Sequence, residues 1–122
     1  MANILVVDDS STVRNEVGNF LGQNGFDIAF AVDGRDGLAK LQQDPRIKLV
    51  VCDVNMPNMD GLTMAEKVRS ELKNSGVNIV MLTTENSPAM KERGKAAGIR
   101  GWIVKPFNGP AVLGSFQKLV GA

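Results

Sequence analysis

Side chains suited to phosphate and metal chemistry follow four apolar runs of the sequence. Asp8 and Asp9 follow the first of these runs, Asp53 follows a later one, and Thr83 and Lys105 follow the last two. When such runs are parallel strands of one sheet, their carboxyl ends meet at one edge, where α/β proteins bind their ligands. The sequence therefore predicts one polar site that gathers three acids, a hydroxyl and an amine.

Three carboxylates in one small pocket need a cation if they are to stay ionised. Two unit charges about 5 Å apart repel by roughly 3 kcal/mol at an effective dielectric constant of about 20. Carboxylates suit Mg²⁺, which keeps several waters and shares its coordination with phosphate. Lys105 supplies a positive charge for a phosphoryl oxygen, and Thr83 supplies a hydroxyl. This set predicts phosphoryl transfer to a carboxylate, and Asp53 is the expected nucleophile because the most apolar run precedes it.

Taken singly, these residues have simpler interpretations. Asp8 and Asp9 before a helix are typical of a capping turn, and Asp60 is expected to be only an N-cap. Lys105 beside a proline is typical of a solvated amine, and Thr83 of an ordinary strand end. Their joint placement at the ends of strands favours the functional interpretation.

Strands and amphipathic helices alternate five times along the chain. The predicted strands are residues 3–7, 26–31, 48–54, 77–82 and 101–104. The predicted helices run from Ser10 to Asn24-Gly25, from Asp33-Gly34 to Pro45, from Asp60-Gly61 to about Ser75-Gly76, from Ser87 to Ala97, and from Asn108 to Val120. This alternation predicts a parallel sheet covered by helices on both faces, with right-handed crossovers.

The helix from Ser87 to Ala97 has the weakest pattern of the five. Pro88 stands near its start and Gly94 inside it, where glycine costs about 1 kcal/mol relative to alanine. Its apolar candidates are Ala89, Met90, Ala96 and Ala97. We expect it to be the least stable helix.

Composition excludes several other classes of function. The 122 residues include 14 basic and 13 acidic ones, mixed along the chain, so the net charge of +1 does not favour nucleic-acid binding. The absence of histidine removes Ser/His/Asp catalysis and most zinc sites. Cys52 is expected to be an inert buried thiol. We expect a single domain over residues 1–122, without an output domain, in the cytoplasm and away from membranes.

The chain resembles a response-regulator receiver domain from end to end, most closely the stand-alone chemotaxis type. The motifs that carry the resemblance are Val7-Asp8-Asp9-Ser10-Ser11, Asp53-Val54-Asn55-Met56-Pro57-Asn58-Met59-Asp60-Gly61, Thr83-Thr84-Glu85 and Trp102-Ile103-Val104-Lys105-Pro106-Phe107. The resemblance implies a flavodoxin-like, doubly wound α/β fold with a five-stranded parallel sheet of order 2-1-3-4-5.

The resemblance also implies how the acids act. Asp53 would accept a phosphoryl group from a phosphohistidine on a sensor histidine kinase. Asp9, Asp53 and the backbone carbonyl of Asn55 would hold Mg²⁺, and Asp8 would reach the ion through water.

The remaining positions of the site follow from the same resemblance. Thr83 and Lys105 would bind the phosphoryl oxygens, and the backbone amide of Thr84 would assist them. Asn55 and Glu85 occupy the variable positions that tune hydrolysis of the acyl phosphate.

Trp102 stands where the family usually has a tyrosine or phenylalanine switch. Because indole is larger than phenol, two interpretations stay open: a switch, or an anchor that only packs. A downstream protein is expected to dock on the surface of residues 87–120, a motor switch or another target. Pro88 and Gly94 depart from the usual motor-binding pattern. We expect a monomer.

Three alternatives stay open at this point. An aspartyl-phosphate phosphohydrolase acting on external substrates would carry an Asp-x-Asp motif after the first strand and would need a cap domain. A flavin module would bind phosphate at the run Ser10-Ser11-Thr12, but Asp8 and Asp9 would repel that phosphate. A receiver that is never phosphorylated would not need the intact set of site residues.

Overall fold

A five-stranded parallel sheet lies at the centre of the computed structural model, which describes residues 3–72 and 76–121. The strands are β1 (Ile4–Val7), β2 (Ile28–Ala31), β3 (Leu49–Cys52), β4 (Asn78–Thr83) and β5 (Gly101–Val104). Their order is β2-β1-β3-β4-β5, and each neighbouring pair is parallel. The predicted fold class and strand order are therefore confirmed.

Five helices connect the strands and cover both faces of the sheet. They are α1 (Ser11–Gln23), α2 (Gly34–Gln43), α3 (Gly61–Lys67, continued by a π-helical turn Val68–Leu72), α4 (Pro88–Ala96) and α5 (Gly109–Gly121). The predicted end of the third helix near Ser75-Gly76 falls on residues 73–75, outside the described part of the chain. Within the described residues, no helix is long and apolar enough to cross a membrane.

Alternate residues of each buried strand pack on opposite faces. In β1, Leu5 and Val7 belong to the apolar cluster that includes residues of α2, α3 and α4, whereas Ile4 and Val6 belong to the cluster that includes residues of α1 and α5. This is the period of two expected for strands that are covered on both sides. The sheet is therefore held rigidly between two apolar layers, and only its edges and ends reach solvent.

Strands β1, β2 and β3 are shorter than the apolar runs that predicted them, and β4 is shifted by one residue. Ile47, Val54 and Val77 flank β3 and β4 and are almost fully buried, yet they lie outside the paired segments. Burial thus extends past the strand pairing, which hydrophobicity alone cannot reveal. Thr83, expected just after its strand, is the last residue of β4.

The first four helices begin with a capping side chain directly after the loops that leave the carboxyl ends of the strands. The side-chain oxygen of each cap accepts a hydrogen bond from the backbone N–H of the residue three positions further along the chain. The four pairs, with the cap first, are Ser10 and Val13, Asp33 and Asp36, Asp60 and Thr63, and Ser87 and Met90. Caps of this kind stabilise a helix start by about 1 kcal/mol each. They also fix the loops at the edge where the site residues lie.

Helix α4 contacts the core through a narrow face. Met90, Gly94 and Ala97 follow helical spacing; Gly94 and Ala97 are buried and Met90 is half-buried. Ala89 and Ala96 are exposed, so their expected place in the core is wrong: they lie on a different face of the helix from Met90, Gly94 and Ala97.

Two arginines, one in α4 itself and one in the π-helical turn that continues α3, add polar contacts at the margins of α4. Arg93 pairs with Glu66 of α3 at 2.8 Å, and Arg69 donates to the carbonyl of Ala97 at 3.1 Å. Helix α4 therefore rests on few apolar contacts and several polar ones at its margins.

Candidate functional site

Strand pairing places two of the predicted acids side by side. Val7 at the end of β1 is in register with Cys52 at the end of β3, so Asp8 and Asp53 are the next residues on adjacent strands. The amide of Asp53 donates to the carbonyl of Val7 at 3.1 Å, which fixes this arrangement. Asp8 is 2% exposed and Asp53 8% exposed, whereas Asp9 is open to solvent.

Lys105 bridges the two buried carboxylates. Its backbone amide donates to the carbonyl of Thr83 at 3.0 Å, which holds it at the end of β5. Its Nζ lies 2.9 Å from Asp53 Oδ2 and 3.1 Å from Asp8 Oδ2. The peptide bond from Lys105 to Pro106 is cis. Lys105, Asp8 and Asp53, which were predicted from separate parts of the chain, are thus brought together.

Backbone and side-chain donors fix the orientation of both buried carboxylates. Asp53 Oδ1 accepts from the amide of Val54 at 2.7 Å, and Asp8 Oδ1 accepts from the amide of Ser10 at 2.9 Å. Arg14 of α1 donates to the carbonyl of Asp8 at 2.6 Å. Sequence reasoning missed Val54, Ser10 and Arg14 in these roles, because amide donors leave no signal in the sequence and no motif marks Arg14.

Burial and hydrogen bonding shift the pKa values of two groups in this pocket, Asp8 and Lys105. Burial raises the pKa of Asp8 above its usual value, although the Ser10 amide and Lys105 act in the opposite direction. Burial tends to lower the pKa of Lys105, but its hydrogen bonds to Asp53 and Asp8 outweigh this and raise it. Lys105 is therefore a fixed positive charge at neutral pH.

Cys52 is buried, as predicted. Its Sγ donates to the carbonyl of Asp53 at 3.1 Å, and burial raises the pKa of this thiol well above its usual value. The thiol form therefore prevails at neutral pH, and Cys52 is unreactive.

The three acids form a candidate metal centre. Asp8, Asp9 and Asp53 each offer one carboxylate oxygen, and these oxygens all lie within 4.8 Å of one another. A set of hard oxygen donors with one solvent-facing member fits a small divalent cation that retains water. The residues present therefore fit Mg²⁺, which would enter from the side of Asp9.

Magnesium should stabilise the folded protein through this centre. At about a hundredfold excess of Mg²⁺ over its Kd, we expect the free energy of unfolding to rise by about 2.7 kcal/mol, since only the folded chain gathers the three acids. Asp9→Asn should abolish most of this increment while hardly changing stability without metal, because Asp9 is exposed. Urea denaturation with and without Mg²⁺ measures both quantities.

Asp27→Asn provides the matched control, because Asp27 is also exposed but precedes β2 at the opposite edge of the sheet. An equal Mg²⁺ increment in the Asp9 and Asp27 variants would show that the metal binds elsewhere.

Glu85 connects the predicted tuning and switch positions. Its backbone amide donates to Thr83 Oγ1 at 3.2 Å, and its carbonyl accepts from Trp102 Nε1 at 2.8 Å. Its carboxylate accepts from Asn55 Nδ2 at 2.7 Å. Thr83 is fully buried and Trp102 half-buried, so this network reaches from the pocket to the surface of β5. Thr84 is exposed and lines a groove with Lys105.

The loop after Asp53 is tied to the start of α2. Asn58, in a left-handed conformation with φ of 66°, donates from Nδ2 to Asp33 Oδ2 at 2.8 Å. The amide of Gly34 donates to the carbonyl of Met59 at 3.0 Å. The hydrogen bond from the Asp36 amide, and to a smaller extent the one from Asn58, lowers the pKa of Asp33 below its usual value. Sequence reasoning placed Asp33 only at the start of a helix, because its partner Asn58 lies far along the chain.

Residues 4–116 match the family model described as the response regulator receiver domain. The chain belongs to this family. Receiver domains are signalling phosphoacceptors, and the acids and amine described above are in keeping with that role. The resemblance recognised in the sequence is thereby confirmed.

The receiver domain is also similar to individual chemotaxis proteins. It is 40% identical to Chemotaxis protein CheY1 of Helicobacter pylori over 111 residues, which are 90% of this chain and 89% of that protein. It superposes on chemotaxis protein CheY4 of Vibrio cholerae with a TM-score of 0.88, 43% identity and 98% coverage of both chains. CheY of Borrelia burgdorferi, solved as a CheX-CheY complex with BeF₃ and Mg²⁺, gives a TM-score of 0.87 at 28% identity, covering 96% of this chain and 87% of that one.

Proposed function

We propose that this receiver domain is a single-domain response regulator of a chemotaxis or related two-component pathway, with Asp53 as its phosphoacceptor. The observation that carries the proposal is the position of Lys105 Nζ, 2.9 Å from Asp53 and 3.1 Å from Asp8, beside an exposed Asp9. This arrangement gives one carboxylate a fixed orientation, a counter-charge and an open approach for a phosphodonor.

The proposed reaction begins when an oxygen of Asp53 attacks the phosphorus of a phosphohistidine on a sensor histidine kinase. The phosphorus–nitrogen bond breaks, an acyl phosphate forms, and the histidine leaves with its nitrogen lone pair. Lys105 and Thr83, with the amide of Thr84, would hold the phosphoryl oxygens. Asp9, Asp53 and the Asn55 carbonyl, with Asp8 acting through water, would hold Mg²⁺, which supplies charge neutralisation when bound.

Loss of the signal would be self-catalysed. Water attacks the phosphorus, the bond to Asp53 breaks, and inorganic phosphate leaves. Asn55 donates a hydrogen bond to the Glu85 carboxylate at 2.7 Å on the exposed side of the site, where the two residues would influence the access of that water. On this proposal the protein acts on its own phosphoryl group alone and is not an enzyme for external substrates.

The switch would run through Glu85. A phosphoryl group that draws Thr83 towards it also draws on the Glu85 amide, which is hydrogen-bonded to the Thr83 hydroxyl at 3.2 Å. The Glu85 carbonyl holds Trp102 at 2.8 Å, so the indole and the start of α4 would move with the loop. This supports Trp102 as a switch rather than a packing anchor.

The downstream partner would dock on the surface of residues 87–120, beside the switch. Lys91, Lys95 and Arg100 line a groove with Ile99 and Trp102 on this surface. An apolar floor with a basic rim suits a protein segment with apolar and acidic side chains. We propose a monomeric cytoplasmic protein whose targets are other proteins rather than nucleic acid or membranes.

Mass spectrometry after incubation with acetyl phosphate and Mg²⁺ tests the phosphoacceptor. We expect one added phosphoryl group, absent in Asp53→Asn because an amide is not a competent nucleophile. Asp60→Asn is the matched control: asparagine caps a helix as well as aspartate does, and Asp60 caps α3 without facing Lys105. The adduct should persist in that variant.

The proposal fails if Asp53→Asn retains the adduct, or if no phosphodonor modifies the native chain. Trp102 gives a second measurement, because it is the only tryptophan. Its fluorescence should change when beryllofluoride binds with Mg²⁺. Hydrolysis of external phosphate esters at a steady rate would instead favour the phosphohydrolase alternative.

A further inference from the structure

Helix α4 contains a glycine that its backbone does not require. Gly94 lies inside the helix Pro88–Ala96, is buried, and is not among the glycines with a positive φ. Glycine at such a position lowers the equilibrium constant for helix formation about fivefold relative to alanine, equivalent to about 1 kcal/mol. A residue that weakens its own helix in this way points to a steric reason outside the helix.

The steric reason is the side chain of Trp102. A Cβ at position 94 would lie 3.1 Å from Trp102 Cζ3, 3.4 Å from Ile99 Cγ1 and 3.5 Å from Leu62 Cδ2. Carbon atoms in contact prefer separations of about 3.5 to 4.0 Å. The indole is therefore the neighbour that would have to move, and it meets the helix backbone where Gly94 leaves room.

The opposite end of the indole is also held. Trp102 Nε1 donates to the carbonyl of Glu85 at 2.8 Å, while the far edge of the six-membered ring faces Gly94. The ring spans the distance from the loop before α4 to the middle of that helix. A tyrosine ring, which is centred on the Cβ–Cγ axis, would need less clearance at position 94, because Cζ3 belongs to the fused ring of indole that lies to one side of that axis.

We propose that Gly94 is a positioning residue for Trp102 and that the two form a matched pair. The missing Cβ lets an indole occupy the half-buried site under α4 with its N–H on Glu85. An added methyl group would require the ring to shift by a few tenths of an ångström, which would strain its hydrogen bond to the Glu85 carbonyl. The low helix propensity of α4 is then the energetic cost of using tryptophan at this position.

The signalling consequence of the pair rests on the proposed function. Glu85 also contacts Thr83 at 3.2 Å and Asn55 at 2.7 Å, so the clearance at Gly94 sets where the output end of this network lies. The pairing itself is a property of the fold and needs no phosphoryl group. If the double-mutant experiment contradicted the pairing, the test of the Asp53 adduct would be unaffected. If no adduct formed on Asp53, the pairing would be unaffected.

A double-mutant cycle measures the pairing. Gly94→Ala, Trp102→Tyr and the double variant are compared by urea denaturation. Gly114→Ala is the matched control, because Gly114 lies inside α5 with nothing within 4 Å of an added Cβ. We expect Gly114→Ala to raise the equilibrium constant for folding about fivefold, or about 1 kcal/mol, from helix propensity alone.

Gly94→Ala should give no such gain while Trp102 is present and should recover it in the Trp102→Tyr background. The tryptophan emission of Gly94→Ala should also shift to longer wavelength and become easier to quench with acrylamide, unlike that of Gly114→Ala. If Gly94→Ala alone did not fold but the double variant did, that result would equally support the pair. Equal gains for Gly94→Ala in both backgrounds with unchanged emission, or failure to fold in both, would overturn it.

Discussion

Gly61→Ala is expected to destabilise the receiver domain by about 3 kcal/mol, at the upper end of the usual cost of overpacking. Gly61 is the first residue of α3 and is buried. A Cβ there would collide with the carbonyl oxygen of Asp53 and lie 2.9 Å from Cys52 Sγ. Because the collision involves backbone rather than a flexible side chain, α3 or the end of β3 must shift.

The same shift should weaken the site, because the peptide group that is displaced belongs to Asp53. Urea denaturation and phosphorylation by acetyl phosphate measure the two effects on one variant. Gly22→Ala is the control: Gly22 is an exposed residue of α1, and an added Cβ meets nothing within 4 Å. It should gain up to about 1 kcal/mol. A Gly61 variant with native stability and phosphorylation would show that α3 does not pack on Asp53 as described.

The gathering of the acids could be predicted because it depends only on strand order and on where the apolar runs end. Asp8 and Asp53 each stand one residue beyond a buried strand, and parallel pairing brings such residues together whatever the details of the loops. Lys105 follows β5 in the same way. The caps Asp33 and Asp60 were predictable for a related reason, since a cap contacts residues only three positions away.

Contacts between backbone groups and distant side chains could not be predicted. Trp102 donates to the carbonyl of Glu85, and every residue carries such a carbonyl, so no residue type marks it. The bond from Asn58 to Asp33 likewise joins two loops that are 25 positions apart. Glu85 was expected to tune hydrolysis, whereas its position between Thr83, Asn55 and Trp102 emerges only from the folded chain.

Helix propensity gave a correct but incomplete account of Gly94. Helix propensity identified it as a weakness of α4, and the exposed Ala89 and Ala96 leave that helix with few apolar contacts. The reason for the glycine lies in the ring of Trp102 on a neighbouring strand, which a pattern confined to one helix cannot include.

Lys105→Met should destabilise the metal-free protein by about 3 kcal/mol at neutral pH. Removing one partner of a buried ion pair usually costs about 3 to 5 kcal/mol, because the other charge is left unpaired. We expect the lower value, since the Lys105 side chain is 19% exposed. Methionine keeps the apolar stem, so the change isolates the loss of the charge between Asp8 and Asp53.

The loss should depend on pH and on Mg²⁺. Burial already raises the pKa of Asp8, and removing Lys105 raises it further, so the folded variant binds a proton more readily than the unfolded chain. Its stability should therefore increase as the pH falls from neutral towards that raised pKa, and the deficit relative to the native protein should shrink. Mg²⁺ should restore part of the deficit, because it replaces the missing positive charge between the carboxylates.

Lys118→Met serves as the control for this experiment, since Lys118 is an exposed residue of α5 remote from the acids. Urea denaturation of both variants at several pH values, each with and without Mg²⁺, separates the effects. The Lys105 variant should also be phosphorylated more slowly, because no amine would face the phosphoryl oxygens. If the two variants lost similar stability, or if the deficit of Lys105→Met did not respond to Mg²⁺, Lys105 would not be the counter-charge of Asp8 and Asp53.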